Sequence, residues 1–146
     1  MTTLTSPLHS FSTPGLQLLG GPKAPYYAVV SSTIYNGKEK AHFESLANEM
    51  MVIVNSLPGF LGLETSSEVM PDGRVFSLSS IYWDSLESID SWRKDPRHIA
   101  AKNIGKTLWY DEHNMRVCQI LSQYGTSFKK SAHEWPKSTV SPPSQK

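Results

Sequence analysis

The chain has 146 residues, 38% hydrophobic and 18% charged, which suits one folded domain with a real core and excludes a disordered polyelectrolyte. Its 14 Lys and Arg against 13 Asp and Glu give a net charge of +1, so there is no global electrostatic footprint for nucleic acid or an anionic membrane. A single cysteine, Cys118, excludes a disulfide framework and a zinc site of two or more thiolates, and the longest apolar run, Met50 to Val54, falls far short of the roughly 20 residues a bilayer span needs.

Proline placement marks the domain boundaries. Four of the ten prolines lie within residues 1–25 and three within 125–146, stretches otherwise rich in Ser, Thr and Gly at one end and Ser and Lys at the other. Both are expected to be flexible tails around a domain at residues 26–124, which holds 44 of the 56 hydrophobic residues. Charge divides along the same lines, with −3 on the domain and +4 on the tails. The first 22 residues carry no Lys or Arg, and Pro7 and Pro14 interrupt their hydrophobicity, so no secretory signal is expected and a soluble, cytoplasmic location is.

Tyr26 to Tyr35 is β-branched and aromatic and reads as a first strand, ended by Asn36-Gly37. From Lys38 to Leu57 apolar residues recur in steps of three and four, at Phe43, Leu46, Ala47, Met50, Val54 and Leu57, the stripe of an amphipathic helix that Pro58-Gly59 stops. Phe60 to Val69 and Arg74 to Trp83 flank Pro71-Asp72-Gly73 and read as an antiparallel hairpin. Asp84-Ser85 caps a second helix bearing Leu86, Ile89 and Trp92, and Asp95-Pro96 breaks and restarts it to about Trp109. Asn114 to Tyr124 reads as the closing strand.

The order β-α-β-β-α-β is the α+β, ferredoxin-like arrangement, an antiparallel sheet with its helices on one face. The other face is then bare, with Val29, Phe76, Leu78 and Tyr82 expected partly on it. So large an apolar patch is most simply buried by pairing two copies sheet to sheet, which predicts a homodimer.

Residues Trp83 to Tyr110, WDSLESIDSWRKDPRHIAAKNIGKTLWY, together with Pro58-Gly59-Phe60-Leu61-Gly62 and Glu64, resemble the antibiotic biosynthesis monooxygenase (ABM) family of dimeric α/β barrels. The resemblance carries Trp83, the Glu87 to Trp92 helix start, Asp95-Pro96-Arg97-His98, Ala100-Ala101, Gly105 and Trp109-Tyr110, and includes neither tail. It implies a homodimeric barrel with a small-molecule pocket between helices and sheet in each subunit. It further implies one of two functions. One is a monooxygenase that oxidises a phenolic or polyketide-type aromatic with O₂ and no metal or organic cofactor, the ionisable substrate supplying the electron. The other is a non-catalytic dimer that binds a small molecule or haem. Fold alone does not choose between them.

Each residue has a plainer reading beside the functional one. Trp83 and Trp92 are stacking walls for a planar aromatic ligand, or core aromatics. His98, in the first turn after Pro96, is a base for substrate deprotonation, or a helix-end residue facing solvent. Tyr110 would share proton transfer, and Lys102, or one of Arg93, Lys94 and Arg97, would meet an anionic ligand, with nothing in the sequence selecting which. His42 and His113 read as surface positions, His9 and His133 fall in the tails, and Arg93, Lys94 and Arg97 read as a solvated helix end.

The haem-degrading branch of the same superfamily pairs a strand Asn and a helix Trp with a haem-ligating His ten residues after that Trp. Here Trp92 fits, but Val30 stands at the Asn position and Lys102 at the His position, and an ammonium is a poor iron ligand at neutral pH. His98 stays open as a ligand from another angle. No metal site or phosphate loop is expected, since the spacing motifs for them are missing. RNA binding is disfavoured by the third strand, VFSLSSIYW, which lacks basic residues on a domain of charge −3. Cys118 reads as a small core or interface residue, Lys129-Lys130 as a solubilising or crossing arm, and Trp135 as a docking residue.

Overall fold

The computed structural model describes residues 22–125. The tail expectations for residues 1–21 and 126–146, including His9, Lys129, Lys130, His133 and Trp135, lie outside the described residues. Strand β1 (Tyr26–Tyr35) is followed by helix α1 (Lys40–Asn55), the hairpin β2 (Phe60–Val69) and β3 (Val75–Trp83), helices α2 (Leu86–Lys94) and α3 (Pro96–Leu108), and strand β4 (Tyr110–Ile120). The four strands form one antiparallel sheet in the order β2-β3-β1-β4, an α+β ferredoxin-like fold.

Local chemistry accounts for the element boundaries. After β1 the Asn36 side chain accepts from the Lys38 amide (2.9 Å) and donates to the Leu108 carbonyl (2.7 Å), which ends the strand and ties it to the end of α3. The β2–β3 turn closes with the Gly73 amide on the Met70 carbonyl (2.9 Å) and the Arg74 amide on Asp72 Oδ1 (3.0 Å). Ser85 caps α2 by accepting from the Ser88 amide (3.1 Å), and Asp95 caps α3 by accepting from the Arg97 amide (2.9 Å), with Pro96 in the first turn where its missing N–H costs nothing.

The helix-facing side of the sheet carries Val29, Leu63, Ile81 and Trp83. The buried cluster Val29, Val54, Trp83 and Trp92, backed by Met50, Leu57, Phe60, Ile81 and Ile89, joins the sheet to α1 and α2. Val29 therefore belongs to the core rather than to the bare face: it pairs with Ile81 across β1–β3, and both alternate onto the helix side. The opposite face carries Val30, Ile34, Phe76, Leu78 and Tyr82, with Phe76 38% and Leu78 46% exposed. No helix among the described residues is long and apolar enough to cross a membrane.

The closing strand begins four residues before the expected Asn114, because Tyr110 to His113 pair with the end of β1 through an irregular register: Ile34 meets Glu112 and Tyr35 meets Tyr110, leaving Asp111 as the extra residue of a β-bulge. Arg93 and Lys94 pair with Asp90, and Arg97 with Asp95, as an exposed helix-end network.

Gly59 links α1 to β2 at φ 85°, and its carbonyl accepts from the Asp84 amide (2.9 Å). A Cβ there would lie 2.1 Å from Ser88 Oγ and 2.3 Å from Asp84 Oδ1, whereas one at Gly73, φ 90°, would meet nothing within 4 Å. Gly59→Ala is expected to lower the unfolding free energy by about 3 kcal/mol and Gly73→Ala by only about 1 kcal/mol. Urea midpoints at an unchanged slope check this, and equal costs at the two sites would refute the steric contribution.

Candidate functional site

A cavity of about 220 Å³ lies between the helices and the sheet. Cavities of about 150 Å³ hold a benzene ring, so this one has room for a larger aromatic system. Its roof is α1, with Phe43, Leu46, Ala47, Met50, Met51 and Val54. Its floor is the sheet, where Leu63 and Ile81 flank the hydroxyls of Ser31, Thr65 and Ser79. The wall is completed by Trp92, His98, Ala101, Lys102, Trp109, Tyr110 and His113, and the exposed Met115 stands at the edge strand. No Asp or Glu is among the lining residues.

His98 lies on the inward face of α3 with Ala101, Lys102 and Gly105, a spacing of three and four. Its ring stacks on Trp92 at 4.1 Å between centroids and 9° between planes, and its Nδ1 is 3.0 Å from the Trp92 carbonyl oxygen. A carbonyl only accepts, so Nδ1 carries the proton, and in the neutral ring Nε2 holds a free lone pair. Burial lowers the His98 pKa, the Trp92 carbonyl opposes this by favouring the charged form, and the Lys102 charge lowers it further. The result is a neutral imidazole with its basic nitrogen available.

The second imidazole is His113. The bulge at Asp111 turns Tyr110 onto the same face as His113, three residues on, and the two rings stack at 4.8 Å and 13°. His113 Nδ1 lies 2.9 Å from Thr33 Oγ1 on the neighbouring strand. Burial lowers its pKa, and Lys102 and Lys106 add to the effect. Burial raises the pKa of Tyr110, which keeps the phenol neutral. Tyr110 reaches the wall because Gly105 leaves it room: a Cβ on residue 105 would be 2.3 Å from Tyr110 Cε2.

At the β4 end the cavity is closed by aromatic packing. Phe43 stacks on Tyr35 (4.0 Å, 12°) and meets Trp109 edge to face (5.3 Å), and His42 also meets Trp109 edge to face (5.0 Å). Trp109 is buried, and its Nε1 is the buried side-chain polar atom without a hydrogen-bond partner among the described residues.

Of the residues singled out in the sequence, Trp92, His98, Lys102 and Tyr110 line the cavity together. Trp83 does not. It is 1% exposed, packs edge to face on Phe60 at 5.8 Å, and sits in the core behind Trp92. His113, expected at the surface, is instead half-buried on the cavity wall, because the bulge starts the strand early and fixes which face the residue takes. His42 is exposed as expected, with one ring edge on Trp109. Val30, at the haem branch's Asn position, lies on the sheet face away from the cavity. Cys118 lies on that same face, part-exposed. The floor hydroxyls gave no sequence signal that separated them from ordinary strand residues, and Trp109 carried the family resemblance without being given a role of its own.

A four-stranded antiparallel sheet with helices on one side and a cavity beneath them defines a small α+β ferredoxin-like domain with an internal cavity. The sequence profile of the antibiotic biosynthesis monooxygenase family matches residues 25–103, and the chain belongs to that family. The uncharacterized protein YqjZ of Bacillus subtilis (strain 168) is 37% identical over 102 residues, covering 70% of this chain and 85% of that protein. Rv0793 from Mycobacterium tuberculosis has a similar structure, with a TM-score of 0.55, 15% identity, and coverage of 68% of this chain and 99% of that one. SnoaB, a cofactor-independent oxygenase from Streptomyces nogalater, has a TM-score of 0.50 at 18% identity, covering 64% of this chain and 92% of that one.

Because both imidazoles have lowered pKa values, the unfolded chain takes up their protons first as pH falls through about 6.5. Their stabilising contribution is fully present above that value and is lost as pH drops towards the folded-state values. Asp72, Asp90 and Asp95 have pKa values below 3.8, that of Asp95 about 2, so their contributions are lost only at lower pH. The melting temperature is therefore expected to fall between about pH 7 and pH 5, with the slope reduced in a His98→Gln/His113→Gln double variant. Identical slopes in the variant and the parent would show that these rings are not the groups responsible.

Proposed function

We propose that the domain at residues 26–124 works as a homodimer and oxidises an electron-rich phenolic or polyketide-type aromatic with O₂, without a metal or organic cofactor. The observation that carries this reading is the placement of His98: a neutral ring held flat on Trp92, its proton fixed on Nδ1 and its free Nε2 lone pair on the wall of a largely apolar cavity. The likeness in fold to a cofactor-independent oxygenase is consistent with it.

In this reading His98 Nε2 takes the proton of a ring hydroxyl or of the adjacent activated CH₂. The resulting anion is electron-rich enough to reduce O₂ directly. A CH₂ group and one O₂ then give a C=O group and one H₂O, so the atoms and electrons balance without an external reductant. The protein holds the ring, excludes water and stabilises the anion. Trp92 orients both the base and the ring plane, Tyr110 stays a neutral donor, and Lys102 supplies positive charge. Trp83 keeps Trp92 in place from the core and does not touch the ligand.

The homodimer is supported by the outer sheet face, where Phe76 and Leu78 stand exposed beside Val30, Ile34 and Tyr82.

Two experiments test the reading. Metal-free protein incubated with an anthrone-type phenol should consume one O₂ per substrate, and His98→Ala should lower kcat/KM by about a hundredfold or more. Trp92→Phe should lower it less, and turnover unaffected by both changes would remove these assignments. Tight binding without turnover would favour the non-catalytic binder. Light scattering should give twice the 16.3 kDa chain mass, with Leu78→Arg shifting the protein to monomer. A wild-type mass of 16.3 kDa at micromolar concentration would rule out the dimer.

A further inference from the structure

The cavity wall is electrically one-sided. Lys102 and His113 stand on it with His98, and no Asp or Glu is among its lining residues; Asp95, which acts on His98 from the α3 cap, is already paired with Arg97. Lys102 is part-buried and, like the exposed Lys106 one turn on, takes part in none of the ion pairs among the described residues, whereas Arg97 on the turn before is paired with Asp95. An ammonium on the wall of an apolar cavity with no counter-charge is unfavourable unless something negative arrives. With Thr33 Oγ1 donating to its Nδ1, the neutral His113 ring carries its proton on Nε2, which is left to donate to a ligand. Trp109, in the same wall, has an N–H without a partner.

We infer that Lys102 and His113 form a subsite for a carboxylate carried on the aromatic ligand, so that the substrate class is a hydroxylated aromatic acid rather than a neutral phenol. Charge decides among anions. One ammonium beside two neutral imidazoles matches a single negative charge, whereas a phosphate at neutral pH would bring more charge than the wall can balance. Placement agrees: Lys102 is one helical turn beyond His98 on the same face of α3, so a carboxylate held at Lys102 leaves the ring hydroxyl beside it within the reach of His98.

The inference rests on the cavity being the ligand site proposed above, and it does not depend on oxidation taking place. Calorimetric titration of the full chain with 1-hydroxy-2-naphthoate and with 1-hydroxy-2-naphthamide, which share the ring hydroxyl and differ in the charged group, tests it. The acid is expected to bind at least about tenfold more tightly than the amide near neutral pH. Lys102→Met should abolish that preference, Lys102→Arg should keep it, and His113→Gln should reduce it. Equal affinity for acid and amide, or a preference that survives Lys102→Met, would overturn the carboxylate subsite and leave the cavity reading standing. Failure of both compounds to bind would overturn both.

Discussion

A continuous helix from Leu86 to Leu108 would turn roughly 100° per residue, so His98, six residues after Trp92, would project about 120° away from it. The two rings could not touch. The chain breaks instead at Asp95, whose backbone is extended (φ −61°, ψ 123°) and whose carboxylate caps the next helix, while Pro96 removes the amide that continuous α-helix would have used. Folding back at this joint lays His98 flat on Trp92 and brings its Nδ1 onto the Trp92 carbonyl at the end of α2. The direction of α3 then places Ala101, Lys102 and Gly105 over the sheet. The placement of His98, its tautomer and the Lys102 cation beside it all follow from one interruption of helical hydrogen bonding.

The opposite wall depends on a second irregularity. Residues three apart on a regular strand point to opposite faces, so Tyr110 and His113 should not meet. The extra residue Asp111 restores them to one face, and Gly105 supplies the space that the Tyr110 ring occupies against α3. Helix break and strand bulge therefore converge on one cavity from opposite sides. The ordinary elements, α1 and the central strands, contribute its apolar roof and floor.

This division explains what could be read from the sequence. The three- and four-residue steps from Phe43 to Leu57 and the Pro71-Asp72-Gly73 turn have strong local signals, and β2 matched the residues expected of it. The Asp95-Pro96 joint was equally legible, since capping and proline chemistry act within a few residues. The bulge was not: nothing in Tyr110-Asp111-Glu112-His113 distinguishes two strand residues from three, because the extra one is defined only by its pairing with β1. That single ambiguity hid the start of β4 and put His113 at the surface. Trp83 was harder still, because a strand-end tryptophan looks the same in sequence whether it touches a ligand or packs behind the residue that does. Only the position of Phe60 and Val54 around it makes the difference.

The energetic asymmetry of the cavity also bears on its purpose. A domain this small could bury more apolar area by filling the space above Ser31, Thr65 and Ser79 with larger side chains, each worth roughly 2 kcal/mol of burial. It instead keeps hydroxyls on the floor, with Thr65 Oγ1 3.0 Å from Ser79 Oγ, and two imidazoles whose charged forms burial disfavours. Such groups weaken a core unless a ligand meets them, and donors outnumber charged acceptors throughout the lining. The stacked aromatics Tyr35, Phe43 and Trp109 at one end and the Val54, Trp83 and Trp92 cluster at the other hold the walls apart. Packing is thus concentrated at the two ends of the cavity, and its middle is left open.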